Sequence, residues 1–416
     1  MNDAAKQIRD ADAETAPLVI DLDADLLGGN LAAEVFWAGM RQDWRRAMTG
    51  RMAEPAESLL DIAHLPYDRP TLERCRSAQD EGRRVVLATS GEQALGQAVA
   101  QHLKCFDSVE GGHPARGRKA SAKMNPRDLL RAMRPHQWVK NLLVFLPLVV
   151  AHRFDAVAFG WSLLAFLSFG LIASAVYLVN DLIDLPSDRR HAAKRNRPFA
   201  SGRLPLATGT RAAPVLFIAG LGLAALAGIE LFAVMAAYAV TTTAYSLRLK
   251  GTLAADILVL AVLYTLRIIA GAAATGIVPS MWLLTFSIFL FFSLGAVKRL
   301  AELVDIEHNG AQRKVAGRAY VTEDRPVVAM VATSAGFLAV LVLALYIDSP
   351  DVRGQYGTPE VLWGICLVLL FWISRTVLLA HRGLVDQDPV YFALTDRVSL
   401  AGGVVVAILF AAAILV

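Results

Sequence analysis

At 416 residues, 55% of them hydrophobic and with a mean hydropathy of +0.46, the chain is too apolar for a soluble globular protein and long enough for a soluble region plus a membrane region. The formal charge of +4 is modest and the basic residues lie in loops flanking apolar runs, which points to phosphate and lipid headgroups as partners and away from nucleic acid. Cys75, Cys105 and Cys366 are widely separated and odd in number, so they outline neither a disulfide framework nor a metal site.

The chain begins MNDAAKQIRDADAETA, which lacks an apolar secretory stretch, so the N-terminus is expected in the cytoplasm. Leu18 to Asp23 (LVIDLD) and Arg84 to Ser90 (RRVVLATS) read as strands, and helical patterns run from Leu31 to Met48, Thr71 to Glu81 and Gln93 to Leu103. Alternating strands and helices predict a small α/β unit with a parallel sheet. Asp21, Asp23 and Thr89 resemble the first two motifs of the haloacid dehalogenase superfamily. That resemblance implies a phosphoryl-accepting nucleophile at Asp21, an acid/base at Asp23 and a need for Mg²⁺. The chain departs from the pattern. Ala24 and Asp25 replace the usual glycine and small hydroxyl residue, only Lys119 or Lys123 offers the family's lysine, and no later strand carries the completing acidic pair. A degenerate domain that docks or stabilises is therefore expected over residues 1–120, ending in a Gly-, Lys- and Arg-rich linker from Glu110 to Ala122, with a membrane domain over 121–416.

Asn125 to Lys140 (NPRDLLRAMRPHQWVK) sets Leu129, Leu130 and Met133 among Arg127, Arg131, Arg134 and Lys140. This reads as an interfacial helix with Trp138 at headgroup level, whose cations, Arg134 and Lys140 among them, can meet a lipid phosphate. Apolar runs follow at Leu142–Ala151, Ala156–Val179, Ala212–Gly228, Leu231–Tyr245, Ala254–Gly276, Met281–Val297, Val327–Ile347, Val361–Leu379 and Leu400–Val416, predicting about nine spans in a mainly α-helical membrane protein. With the N-terminus cytoplasmic, loops on that side hold 17 Lys and Arg residues and the opposite loops only Arg153 and Arg353. The phosphate-binding candidates therefore face the cytoplasm of a multi-pass inner-membrane protein.

Asn180 to Gly202 reads NDLIDLPSDRRHAAKRNRPFASG. Asp181, Asp184 and Asp188 recur at helical spacing, and Arg189, Arg190, Lys194, Arg195 and Arg197 follow directly. Acids are not needed for topology, and three in register at a membrane boundary are costly unless paired or metal-bound. A carboxylate set suited to Mg²⁺ beside a cation set suited to phosphate oxygens suggests a diphosphate leaving group, although a solvated positive-inside flank is the bland alternative. Pro186 is expected to end the helix near Leu185 and to deliver Asp188 from a turn.

Asn180, Asp181, Asp184 and Asp188 match the N-D-x-x-D-x-x-x-D motif of the UbiA superfamily of intramembrane prenyltransferases, and K-R-N-R-P-F-A-S-G, Lys194 to Gly202, resembles its decaprenyl-phosphate 5-phosphoribosyltransferase branch. The resemblance runs from about Pro126 to the C-terminus. It implies a UbiA-like bundle, Mg²⁺ on Asp181, Asp184 and Asp188, roles in catalysis for Asn180, Lys194 and Arg197, and a phosphorylated sugar donor with a polyprenyl phosphate acceptor. The same motif in most of the superfamily serves an isoprenyl diphosphate donor and an aromatic acceptor. A non-catalytic membrane scaffold is a third reading, and self-association is left open.

Further along, Tyr245, Arg248 and Lys250 resemble the family's tyrosine-and-lysine segment, a candidate phosphate clamp. Asp256 is the one acid evident where the family places a second metal-binding motif. Arg267, eleven residues on, returns to nearly the same helix face about three turns deeper, as a substrate ligand or as half of an ion pair. Lys298, Arg299 and Glu302, then Arg313, Lys314, Arg318 and Tyr320, form a third set resembling the phosphoribosyltransferase branch, where Arg195 and these cations would bind substrate and Glu302 would accept ribose hydroxyls or pair with Arg299. His136 and His191 read as polar flanks.

Overall fold

The computed structural model describes residues 16–28, 31–50, 54–90, 93–112, 125–192, 194–308, 318–350, 352, 356–385 and 388–415; Lys119, Lys123, Arg313, Lys314 and most of the expected linker lie outside them. The chain divides into two compact units, residues 1–135 with 173–217, and residues 136–172 with 218–416.

In the first unit, β1 (Leu18–Asp21), β2 (Val85–Thr89) and β3 (Ser108–Gly111) pair in parallel in that order, Leu18 opposite Val85 and Val86 opposite Ser108. Parallel neighbours need crossovers, supplied here by α1 (Leu31–Met48, kinked at Asp43), α2 (Arg69–Asp80) and α3 (Gln93–Leu103). Every residue of β2 is buried, and Ile20, Leu26, Cys75, Leu87, Val99 and Cys105 close the core. The acids after β1 serve the local backbone. Asp21 Oδ1 accepts from the amides of Asp23 (2.9 Å) and Ala24 (2.8 Å), Asp25 accepts from Asp21, and Asp23 accepts from Leu31. The α/β unit is thus present, with its carboxylates acting as caps.

A second core of this unit joins α1 to α4 (Pro126–Met133), the end of α5 (Ala156–Ile183) and the start of α7 (Leu206–Ala227), through Trp37, Ala132, Leu178, Leu182, Phe199 and Leu206. Asn125 caps α4, Pro126 opens it, and Arg134 ends it in the left-handed region at φ 54°. The interfacial helix expected to reach Lys140 therefore stops at Met133. From Pro135 to Phe145 the chain is 3₁₀, far longer than such runs usually extend.

In the second unit, this 3₁₀ segment is laid directly on helix backbones. A Cβ at Gly271 of α9 (Ala255–Thr275) would sit 1.8 Å from the Val144 carbonyl oxygen, and one at Gly170 would sit 2.7 Å from the Trp138 ring. Around it α8 (Ile229–Leu247), α9, α10 (Met281–His308), α11 (Arg325–Ile347), α12 (Trp363–His381), α13 (Pro389–Thr395) and α14 (Arg397–Leu415) pack, with α10 against α9, α11 and α12.

Among the described residues seven helices are long and apolar enough to cross a membrane: Ala156–Ile183, Leu206–Ala227, Ala255–Thr275, Met281–His308, Thr322–Ile347, Pro359–His381 and Arg397–Ile414. Two of the nine expected runs are not among these seven. The run at 142–151 is the end of the 3₁₀ segment plus the five-residue helix Leu146–Val150, since ten apolar residues containing Pro147 cannot span. The run at 231–245 is a 19-residue helix diluted by Glu230, two tyrosines and three threonines, and is not among the seven.

At the last helical junction Asp396 accepts from Arg375 twice (2.6 and 3.1 Å) and from the amide and hydroxyl of Ser399 (2.8 Å each). The Arg375 hydrogen bonds, with those of Ser399, push its carboxyl down to about 2. A folded pKa below the unfolded value, about 3.9, stabilises the protein above that value and ceases to do so as pH falls through the folded one. Asp396→Asn should lower the melting temperature of the solubilised protein at neutral pH, with the difference shrinking as pH is taken from about 4 to 2. Gly271→Ala, which drives a Cβ into backbone, should cost at least the about 1–3 kcal/mol of an overpacked core, whereas Gly222→Ala, with nothing within 4 Å, should melt like the parent.

Candidate functional site

The first unit assembles the acidic motif. α5 ends at Ile183, Asp184 forms the junction, and Pro186 opens a new six-residue helix, α6 (Leu185–Arg190). Asp188 thus arrives on a short helix where a turn was expected. Asp181 and Asp188 are buried, 4% and 2% exposed, and Arg197 joins them, its Nη1 3.2 Å from Asp181 Oδ1 and 2.6 Å from Asp188 Oδ2. Arg134 adds a 2.5 Å bond to Asp181 Oδ1 while its guanidinium lies over the Tyr177 ring. The left-handed turn at Arg134 ends α4 next to this contact.

Burial pushes the Asp188 carboxyl above the usual range, more than Arg197 and Lys194 draw it down, and the charge of Asp184 adds to the rise. Asp184 and Asn180 are half-buried, and the Asn180 carbonyl accepts from the Asp184 amide. Lys194 is half-buried in the turn Lys194–Asn196, while Arg195 is exposed. Among the described residues no three or more acidic, His or Cys side chains are grouped tightly enough to form an all-protein metal cage. Two adjacent carboxylates do fit Mg²⁺, which is commonly held by one or two carboxylates plus substrate phosphates.

The second unit holds a separate buried network. Asp256 and Arg299, both fully buried, meet at 2.9 Å, and the Tyr320 hydroxyl donates to Asp256 Oδ1 (2.9 Å) while accepting from the Ala254 amide (2.9 Å). Arg299 also bonds Glu302, the pairing weighed from the sequence. Arg318 donates to the Tyr245 hydroxyl (2.8 Å) and the Lys250 carbonyl (3.3 Å), and lies 3.9 Å from both Asp256 and Glu302. Lys250 and Lys298 are half-buried; Arg248 is exposed.

Arg267 shares α9 with Asp256 but has its own partners, the Asn141 carboxamide (3.0 Å), the Leu263 carbonyl (2.5 Å) and the faces of Phe169, Tyr238 and Tyr264 at 4.9–5.5 Å. Lys140 pairs with Asp388, which caps α13. Burial would raise the Asp388 carboxyl, but Lys140 and Lys298 beside it hold it below the usual range.

Asn141, Asp388 and Glu34 escaped the sequence reading. Only Glu34 left a local signal, a carboxylate on the buried stripe of Leu31, Trp37 and Ala38, where a charge needs a partner.

Seven membrane-length helices with buried carboxylates tied to arginines define a multi-pass membrane protein whose site suits anionic phosphate chemistry. The chain belongs to the UbiA prenyltransferase family, whose family model matches residues 142–395, and is a membrane transferase of that type. It is 39% identical to nodulation protein NoeC of Azorhizobium caulinodans over 67% of this chain and 91% of that one. It is also 39% identical to decaprenyl-phosphate phosphoribosyltransferase of Mycobacterium tuberculosis, over 44% of this chain and 62% of that one. The fold is that of a UbiA homologue from Archaeoglobus fulgidus solved with GPP and Mg²⁺, at a TM-score of 0.51 and 16% identity, covering 69% of this chain and 98% of that one.

Tyr320→Phe removes the hydroxyl shared by Asp256 and the Ala254 amide. Leaving these buried groups short of a partner should destabilise the protein by about 1–3 kcal/mol, read by denaturant or thermal unfolding in detergent.

Proposed function

We propose that the protein transfers 5-phosphoribose from 5-phosphoribosyl 1-diphosphate to a polyprenyl phosphate, releasing diphosphate. The observation that carries this reading is the cluster of Asp181 and Asp188 with Arg134, Lys194 and Arg197, in which carboxylates able to share a divalent cation stand among cations able to hold phosphate oxygens. The relative named decaprenyl-phosphate phosphoribosyltransferase supports phosphoribosyl transfer to a polyprenyl phosphate, and the relative named as a nodulation protein fits a role for the product there. An end product of the polyprenyl-phosphoryl arabinose kind, used for cell-envelope arabinan or for arabinosylated nodulation factors, is part of the same proposal.

In this reading Asp181, Asp184 and Asp188 hold Mg²⁺, with Asp256 a further candidate. The bound cation would neutralise charge on the departing diphosphate. Arg134, Lys194 and Arg197 hold diphosphate oxygens, and Asn180, next in the chain to Asp181, is proposed as a further catalytic residue on the strength of the motif. The bond from ribose C1 to the diphosphate oxygen breaks, its electron pair leaving with diphosphate, and a bond from C1 to an acceptor phosphate oxygen forms. Because that acceptor is already anionic, no base is required. Lys140, Arg195, Tyr245, Arg248, Lys250, Arg267, Lys298, Arg299, Glu302, Arg313, Lys314 and Arg318 are proposed as substrate-binding residues of the transferase domain, 121–416. Residues 1–120 are proposed as a degenerate haloacid dehalogenase-like domain on the cytoplasmic side of an inner membrane.

A second reading, isoprenyl transfer from its diphosphate to an aromatic acceptor, is favoured by the family's name. Purified full-length protein given labelled 5-phosphoribosyl 1-diphosphate and polyprenyl phosphate should yield a labelled lipid sugar and diphosphate. Turnover of an isoprenyl diphosphate in its place would reverse the assignment. Asp181→Asn and Asp188→Asn should each lower transfer by at least about 100-fold, the scale on which removing one transition-state charge partner acts, and chelation should abolish it until Mg²⁺ is restored.

A further inference from the structure

The acidic motif is gripped from outside the membrane helices. Arg189, next in the chain to Asp188, donates from Nη1 (3.0 Å) and Nη2 (2.6 Å) to the two oxygens of Glu34 on α1, and its Nε reaches the Ala200 carbonyl (3.4 Å) at the far end of the same loop. Glu34 is 3% exposed and Arg189 9%. Arg190 donates to Asp61 (2.6 Å), the Trp37 indole donates to Thr210 on the first turn of α7 (3.0 Å), and Pro66 lies 3.0 Å from where a Cβ of Gly202, at φ +73°, would stand. The N-terminal region therefore holds the motif loop at both ends.

The loop needs such a hold. α6 has six residues, too few for a helix to persist on its own, and its register fixes where Asp188 lies relative to Asp181 and Arg197. Asp188 and Arg189 leave α6 about 100° apart, so anchoring one side chain sets the direction of the other. A bidentate carboxylate–guanidinium pair excluded from water is directional in a way that apolar packing is not.

We propose that the N-terminal region is a clamp on the diphosphate-binding loop, with Glu34, acting through Arg189, a positioning residue for the metal–diphosphate site. This rests on the reading of Asp181, Asp184, Asp188 and Arg197 as that site. It gives residues 1–120 a task that needs no chemistry of their own, consistent with Asp21, Asp23 and Asp25 being engaged by backbone amides.

The test is Mn²⁺ binding in the presence of inorganic pyrophosphate, read by the loss of free Mn²⁺ electron paramagnetic resonance signal, on full-length protein in lipid nanodiscs. Glu34→Gln should weaken binding about tenfold, as loss of an outer partner to a ligating group does, and Glu34→Asp should recover part of it. A merely structural Glu34 would reduce the folded fraction and leave the affinity of what folds unchanged. That result, parental affinity in folded Glu34→Gln, overturns the proposal. If Glu34→Gln does not fold, Asp61→Asn serves, since it removes the more exposed Arg190 pair together with the surface Asp61–His64 contact, and His64→Ala, which removes the latter alone, is the control; a loss of about two- to fivefold beyond that control supports the clamp and no loss overturns it. Failure of the parent protein to bind Mn²⁺ with pyrophosphate removes the site reading itself, and the clamp with it.

Discussion

Two carboxylates buried side by side repel each other and are each penalised for leaving water, so both remain charged only if a cation stands between them. Arg197 is such a cation, within 3.2 Å of Asp181 and 2.6 Å of Asp188, and Arg134 adds a second at Asp181. The chain around the acidic motif is shaped so that these four side chains stay together. α5 must stop at Ile183 so that the chain can turn at Asp184, α4 must stop at Arg134, and the loop from His191 to Gly202 must fold back far enough to return Arg197 to the acids. The guanidiniums that neutralise the carboxylates are also the donors a diphosphate needs, and the carboxylates they neutralise are the ligands a divalent cation needs.

The second unit uses the same solution at Asp256, with different surroundings. Arg299 and Tyr320 close on a carboxylate that is fully enclosed, and Arg318 ties Tyr245, Lys250 and Glu302 into the periphery. Arg267 is held in another manner, by three aromatic faces, a carboxamide and a backbone carbonyl, which spreads its charge without a carboxylate in contact among the described residues. The close approach at Gly271 makes this arrangement possible, because it lets the 3₁₀ segment carrying Lys140 and Asn141 lie against α9.

What the sequence made legible was whatever repeats or changes composition locally. The α/β elements near the N-terminus, the long apolar helices and the acid spacing of the motif follow from period and hydropathy; β1, β2 and α1 to α3 lie within a few residues of where pattern places them, whereas β3 was not among the expected strands. Pairings distant in sequence were not legible. Glu34 and Arg189 are 155 residues apart and Lys140 and Asp388 are 248 apart, and no local rule joins them. The 3₁₀ course of residues 135–145 was also hidden, since its hydropathy is that of a helix and its close packing depends on glycines on other elements, Gly170 and Gly271. Spacing alone placed the three aspartates on one helix. Pro186 marks the break after Asp184 in the sequence itself, whereas the return of Arg197 to both Asp181 and Asp188 across that break shows in no local pattern.

Asp181 and Asp188, with Arg134 and Arg197, are proposed as the seat of a metal-bound diphosphate. A structure of the protein in lipid nanodiscs with pyrophosphate and Mn²⁺ tests it most directly. Mn²⁺ should be bound by one or both carboxylates, with the pyrophosphate oxygens on the arginines. Pyrophosphate bound elsewhere while Arg197 still bridges Asp181 and Asp188 would contradict it.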